Sequence, residues 1–193
     1  VYNTGGKPTL NNCVFTGNTA YLAGGGMYSA GSTSPGTTLV GCSFSDNTAR
    51  TGSGVALDLA TSATVSGCTF TGNHRVVGSG LGGGLSLQES DAMLTGCTFT
   101  NNESGEGGAV GVGGGSSASF SLCNFAENKA SYGGGVWVSA SSVSLVDCDF
   151  ESNTATSEGG GLHVAGDGSS VSVTNGTFQN NQASFFFGGG IAV

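Results

Sequence analysis

Apolar and polar residues alternate along this chain in short bursts, and the bursts recur. Leu85/Leu87, Val110/Val112, Val136/Val138, Leu162/Val164 and Ile191/Val193 are pairs separated by one residue, each following a glycine cluster. Alternation at period two marks a strand with one buried face. A second apolar series is Leu10, Leu39, Val65, Leu94, Phe120, Leu145 and Val173. Each member stands three residues before Cys13, Cys42, Cys68, Cys97, Cys123, Cys148 or, at the seventh position, Gly176. Two residues after each of those comes Phe15, Phe44, Phe70, Phe99, Phe125, Phe150 or Phe178. Three further on comes Asn18, Asn47, Asn73, Asn102, Asn128, Asn153 or Asn181. The cysteines are 29, 26, 29, 26 and 25 residues apart, and Gly176 follows Cys148 by 28.

Self-similarity at this period is the signature of a solenoid. No stretch carries a helical period, so each repeat predicts about three short strands and three turns. The expected fold is all-β: one parallel β-helix over residues 1–193, about seven coils of 25–29 residues. Coils stacked at the interstrand spacing of about 4.8 Å give a rod of about 34 Å. The apolar columns and Phe fill the interior, and the glycines make a tight corner. The Asn column predicts an amide ladder from coil to coil; a plain turn role is the alternative, since Asn tolerates left-handed backbone.

Six cysteines on the inward phase predict a column of free buried thiols. Disulfides between neighbouring coils are the alternative for a secreted chain. Cα atoms about 4.8 Å apart permit them, but parallel side chains hold the Cβ atoms at that same distance, longer than a relaxed disulfide prefers. The spacing matches no zinc pattern.

The tetrapeptides FTGN, FSDN, FTGN, FTNN, FAEN, FESN and FQNN, with GGAV at Gly107–Val110 and GGGΦ or GSGV elsewhere, carry a family resemblance. They resemble the FxxN and GGA(I/L/V) motifs of chlamydial polymorphic outer-membrane proteins and related β-helix repeats in surface proteins. The resemblance spans the chain. It implies a right-handed β-helix and a surface-exposed adhesin passenger; similar repeats also occur in eukaryotic secreted proteins.

Val1 lies twelve residues before Cys13, and Val164 twelve before Gly176; Val193 repeats the phase of Val164. Neither end reads as a polar cap, which solenoid ends normally need. The expectation is a segment of a longer rod, or copies stacking end to end.

Composition narrows the partners. Glycine is 38 of 193 residues without the collagen period, proline occurs twice, and only 8% of residues are charged. A net charge of −8 with four basic residues argues against nucleic acid and against anionic membrane surfaces. No apolar run reaches the length of a membrane span.

Asp147, Asp149 and Glu151 alternate and are expected outward on one strand, where carboxylates hold calcium or do acid–base work in β-helix polysaccharide enzymes. Their neighbours in adjacent coils, Asn124, Ala126, Thr177 and Gln179, add no acid, and neither Arg50 nor Arg75 joins the column. A solvated acidic face is the preferred reading, Asp147, Asp149 and Glu151 being weak calcium candidates only, and no catalytic, metal or cofactor site is assigned. His163 is expected outward beside Trp137, and His74 lies with Arg75 in the longest turn; no nucleophile–base–orienter set forms. Thr69/Thr71 and Thr98/Thr100 make two TxT rows like those of ice-binding solenoids.

The turns between Asn and glycine carry Tyr21, Leu22, Val76, Val77, Tyr132, Phe185, Phe186 and Phe187. Stacked, they predict an apolar ridge along one edge, for lateral packing or glycan stacking; the bland alternative is local packing over the corner. Of two sequons, Asn102-Glu-Ser and Asn175-Gly-Thr, the first falls in the ladder and the second is the expected glycosylation acceptor. The function expected is structural or adhesive, extracellular or at a cell surface, with copies of itself or glycans as partners and no membrane insertion. A carbohydrate-active enzyme is the alternative, ice binding a third reading.

Overall fold

The computed structural model describes residues 1–31, 36–60, 62–76, 78 and 80–193. The repeat unit coils as its periodicity requires, and the chain forms a parallel β-helix of about seven turns. Each coil contributes a strand to each of three long parallel sheets. The first, of eight strands, takes the residues after the glycine clusters and runs from Tyr2–Thr4 through Val55–Asp58, Val110–Gly113 and Val136–Ser139 to Ile191–Ala192. The second has seven, from Thr9–Asn11 through Asp91–Thr95 to Ser170–Thr174. The third also has seven, the FxxN strands from Val14–Thr16 through Thr98–Thr100 to Thr177–Gln179. Pairing matches repeat positions: Phe70 lies beside Phe44 and Phe99, and Leu94 beside Val65 and Phe120.

A fourth ladder adds to the three strands expected. Thr48–Ala49 pairs with His74–Arg75, and Lys129–Tyr132 with Thr154–Glu158 and then Gln182–Ala183. It arises because the second residue after the ladder Asn is usually a small one turned inward: Ala49, Ala130 and Ala155 are buried. Three of its five strands are only two residues long, too short to show a period-two pattern.

The core is built from columns. Phe15, Phe44, Phe70, Phe99, Phe125, Phe150 and Phe178 stack face to face, with centroids 4.5 to 5.2 Å apart and tilts of 5° to 14°. That offset spacing suits the ring quadrupoles and buries a large apolar area. The Asn residues form a continuous amide ladder. Asn73 Nδ2 donates to Asn102 Oδ1 at 2.9 Å, Asn102 Nδ2 to Asn128 Oδ1 at 3.0 Å, and Asn128 Nδ2 to Asn153 Oδ1 at 2.9 Å. The second proton of each goes back to a Phe carbonyl, as from Asn102 to Phe70 O at 2.9 Å. Each Oδ1 also takes a backbone N–H, as from Asn73 N to Asn102 Oδ1 at 3.1 Å. Every polar atom of these buried amides is thereby satisfied, which is what makes their burial tolerable.

Two corners flanking the Phe strands need left-handed backbone. The corner before them has Asn12, Gly41, Gly67, Gly96, Leu122, Asp147 and Asn175 at φ of 52° to 60°. Glycine, Asn and Asp reach that region readily and Leu does not. The glycine cluster answers a second demand, close approach: a Cβ on Gly134 would collide with the carbonyls of Gly160 and Thr154 in the next coil.

A second polar ladder lines the corner leading into the second sheet. Ser90 N donates to Ser116 Oγ at 3.0 Å, and Ser116 N to Ser141 Oγ at 3.1 Å, all three serines being buried.

Candidate functional site

With the interior filled by side chains, chemistry is left to the outer faces. The most built of these is the column immediately before the glycine clusters: Ala23, Thr51, Leu81, Glu106, Tyr132, Glu158 and Phe187. A glycine N–H from the preceding coil fixes the level of each member after Ala23, as Gly82 N to Glu106 O at 2.9 Å and Gly107 N to Tyr132 O at 2.9 Å. The side chains of Leu81, Tyr132 and Glu158 fold over the outer face of the first sheet. Leu81 occupies the space a Cβ on Gly111 would need. Tyr132 stacks on His163, centroids 5.4 Å apart.

This cover corrects the reading of His163. It is in register with Trp137 on the outward side, yet only 9% exposed, because the turns of its own and the preceding coil lie over it. Its Nε2 sits 3.2 Å from a Glu158 carboxylate oxygen, and Nδ1 is buried without a partner. Burial lowers its pKa, and Glu158 offsets only part of that. Tyr28, on the same outward column, is stacked on Tyr2 at 5.5 Å and donates to Asp58 at 3.1 Å.

The turn residues do not make one continuous ridge. Tyr21 and Leu22 are exposed near one end and Phe185, Phe186 and Phe187 near the other, where Phe185 is 78% exposed. Between them the same column presents Thr51, Glu106 and Glu158, and Arg50 stands beside Thr51. Val76 and Tyr132 are partly exposed in the middle coils, and Val77 lies outside the described residues. The turns differ in length, the one from Asn73 to Gly82 being longest, so apolar side chains of successive turns do not fall in one row.

The acidic strand also differs from the expectation. Asp149 and Glu151 lie in Asp149–Glu151, but Asp147 is at the corner with φ 52° and belongs to no strand. Position 147 is one that the backbone reserves for left-handed residues, which Asp tolerates. Asn175 Nδ2 donates to Asp147 Oδ1 at 2.9 Å, and Thr177 Oγ1 donates to Asp149 Oδ1. Asp149 and Glu151 border a shallow hollow of about 260 Å³ with Asn124, Thr177 and Gln179. Among the described residues no group of three His, Cys, Asp or Glu is placed to hold a metal.

Asn175 is exposed at its corner, whereas Asn102 is buried with both amide protons spent in the ladder. Thr69/Thr71 and Thr98/Thr100 are in register on adjacent coils, flanked by Ser43/Ser45 and Asn124/Ala126. The cysteines are free thiols, five of them buried. Burial pushes the Cys42 thiol up; contact with the Cys123 thiol, then burial, does the same to Cys148, and contact with the Cys123 and Cys68 thiols, then burial, to Cys97.

Two grooves stood outside the sequence reading. The larger, about 700 Å³, runs along the outer face of the second sheet over Ser119, Ser144 and Ser172. Serines alternating with buried Ala118 and Val143 were its signal. The second runs beside the fourth ladder, past Arg75 and Lys129.

This architecture defines a class. The family model described as right handed beta helix region matches residues 1–149, and the chain belongs to that family; the coil is right-handed. The model for the Chlamydia polymorphic membrane protein repeat matches residues 147–165, which hold FESN, the following turn and GGGL. Over those residues the repeat is similar to that type. Neither the curated proteins nor the solved structures yielded a match.

Proposed function

We propose that this β-helix is a structural and adhesive element, acting outside the cell or on its surface, with copies of itself or glycans as partners. The observation that carries this is the unbroken filling of the coil by the Phe stack and Asn ladder. A cross-section so uniform makes a stiff support, and its outer faces are the parts free to vary. The polymorphic membrane protein repeat and the bare Phe185–Phe187 patch support the same reading. Asn175, exposed in its sequon, is the position we assign to a glycan if the host glycosylates.

The enzyme alternative rests on Asp149 and Glu151 beside their hollow. Thr177 ties down Asp149, which weakens that case. The Thr rows cover two coils, short for an ice-binding array.

Electron microscopy of the native material tests the proposal. Straight filaments or rods with an axial repeat near ~34 Å are expected. Isolated compact particles that cleave a polysaccharide, with cleavage lost in Asp149→Ala, would overturn it in favour of the enzyme.

A further inference from the structure

Charge is scarce on this molecule, which makes its placement informative. Of 16 Asp, Glu, Lys and Arg residues, four border one groove: Arg75, Glu103, Glu106 and Lys129. The groove consists of two adjoining hollows of about 180 and 320 Å³ that share Arg75 and Ser131. We infer that it binds an uncharged oligosaccharide; the inference rests on the adhesive reading above and gives it a ligand and a place.

Arg75 and Gly78 make one wall, Arg75 Nη1 donating to Gly78 O at 2.6 Å. Glu103, Lys129 and Thr154, from successive coils, pair side by side along the other. Ser104 is buried beneath, its Oγ donating to Gly80 O at 2.7 Å. Glu106 and Tyr132, paired in adjacent coils, close the far end.

The charged groups are not spent on each other. Among the described residues no ion pair is made by Glu103, Glu106 or Lys129, which keep their hydrogen-bonding capacity. Glu106 is partly desolvated, which raises its pKa. Two positive and two negative groups cancel, so the groove selects no ion. A ligand rich in hydroxyls satisfies all four: carboxylates accept from O–H groups, while guanidinium and ammonium donate to oxygens. Tyr132, partly exposed and held by its stack on His163, supplies an apolar ring for the C–H face of a pyranose. A few convergent polar groups beside an aromatic face are what a small-ligand site needs.

Titration calorimetry of the intact chain with maltohexaose, cellohexaose and mannohexaose tests this, with a heparin hexasaccharide as the charged comparison. At least one neutral sugar should bind with Kd below about 1 mM. Tyr132→Ala, and separately the double change Glu106→Gln with Lys129→Gln, should weaken binding about tenfold or more. Phe186→Ser, outside the groove, should leave it unchanged, and circular dichroism of each variant checks that the coil is intact. No binding by any neutral sugar, tighter binding of heparin, or binding retained in folded groove variants would each overturn the inference. Filaments that persist while sugar binding is absent would refute this site and leave the structural role standing.

Discussion

The ring of Tyr132 lies 5.4 Å from that of His163 in the next coil, tilted by 25°, and seals the imidazole from water. Burial holds the His163 pKa below its ordinary value, with Glu158 only partly opposing. As pH falls, the unfolded chain therefore takes up a proton before the folded one does. His163 costs no stability above its unfolded pKa of about 6.5 and costs progressively more below it. The denaturation midpoint should fall more between about pH 7.5 and 5 in the wild type than in His163→Gln. Urea melts at both pH values measure this, and equal slopes would refute it.

Glu106 behaves in the opposite sense. Burial raises its pKa with no partner to compensate, so its contribution is intact below the ordinary carboxylate range and is lost as pH rises through the folded value. Glu106→Gln should raise the melting temperature at neutral pH and have no such effect near about pH 4. Thermal melts at the two pH values decide it.

The amide ladder predicts a positional dependence. Asn102→Ala would orphan the Asn73 Nδ2 and backbone N–H, the Phe70 carbonyl, and an acceptor on Asn128. Loss of about 3–5 kcal/mol is expected for so many unpaired buried groups. Asn18→Ala touches the ladder on one side only and should cost less, about 1 kcal/mol. Denaturant unfolding of the pair is the check; equal costs would mean the ladder contributes nothing beyond the turn.

Leu122 is the misfit of its corner. It is 65% exposed at φ 55°, where equivalent positions carry Gly, Asn or Asp. Leu122→Asn should stabilise by about 1 kcal/mol, since the strained backbone is relieved and no packing is lost. A loss of stability on replacement would show that Leu122 makes a contact worth more than its strain.

Much of the coil was legible in the sequence because its determinants are residue types at fixed spacing. Phe99 and Asn102 announce their columns by standing at the same offset from every cysteine. What stayed hidden depends on how turns of unequal length fold back. Nothing in the sequence marks Leu81 as the cover for Gly111, or Tyr132 as the cover for His163, since each contact joins a turn to the following coil. Ser116 was equally silent: a serine bonded in a buried ladder and one facing solvent, such as Ser119, are the same letter. Asp147 looked like part of an alternating acidic strand, but the corner claimed it.

In the amide ladder each Nδ2 between the ends gives one proton to the Asn of the coil ahead and the other to a Phe carbonyl of the coil behind, from Asn47 on to Asn153. The seam is thus a ratchet with teeth one coil apart. Inserting or deleting a whole repeat leaves every tooth engaged, while a fraction of a repeat leaves an amide facing nothing. Length can therefore change only in quanta of about 4.8 Å, and the protein is in effect a ruler that can be recut without being redesigned.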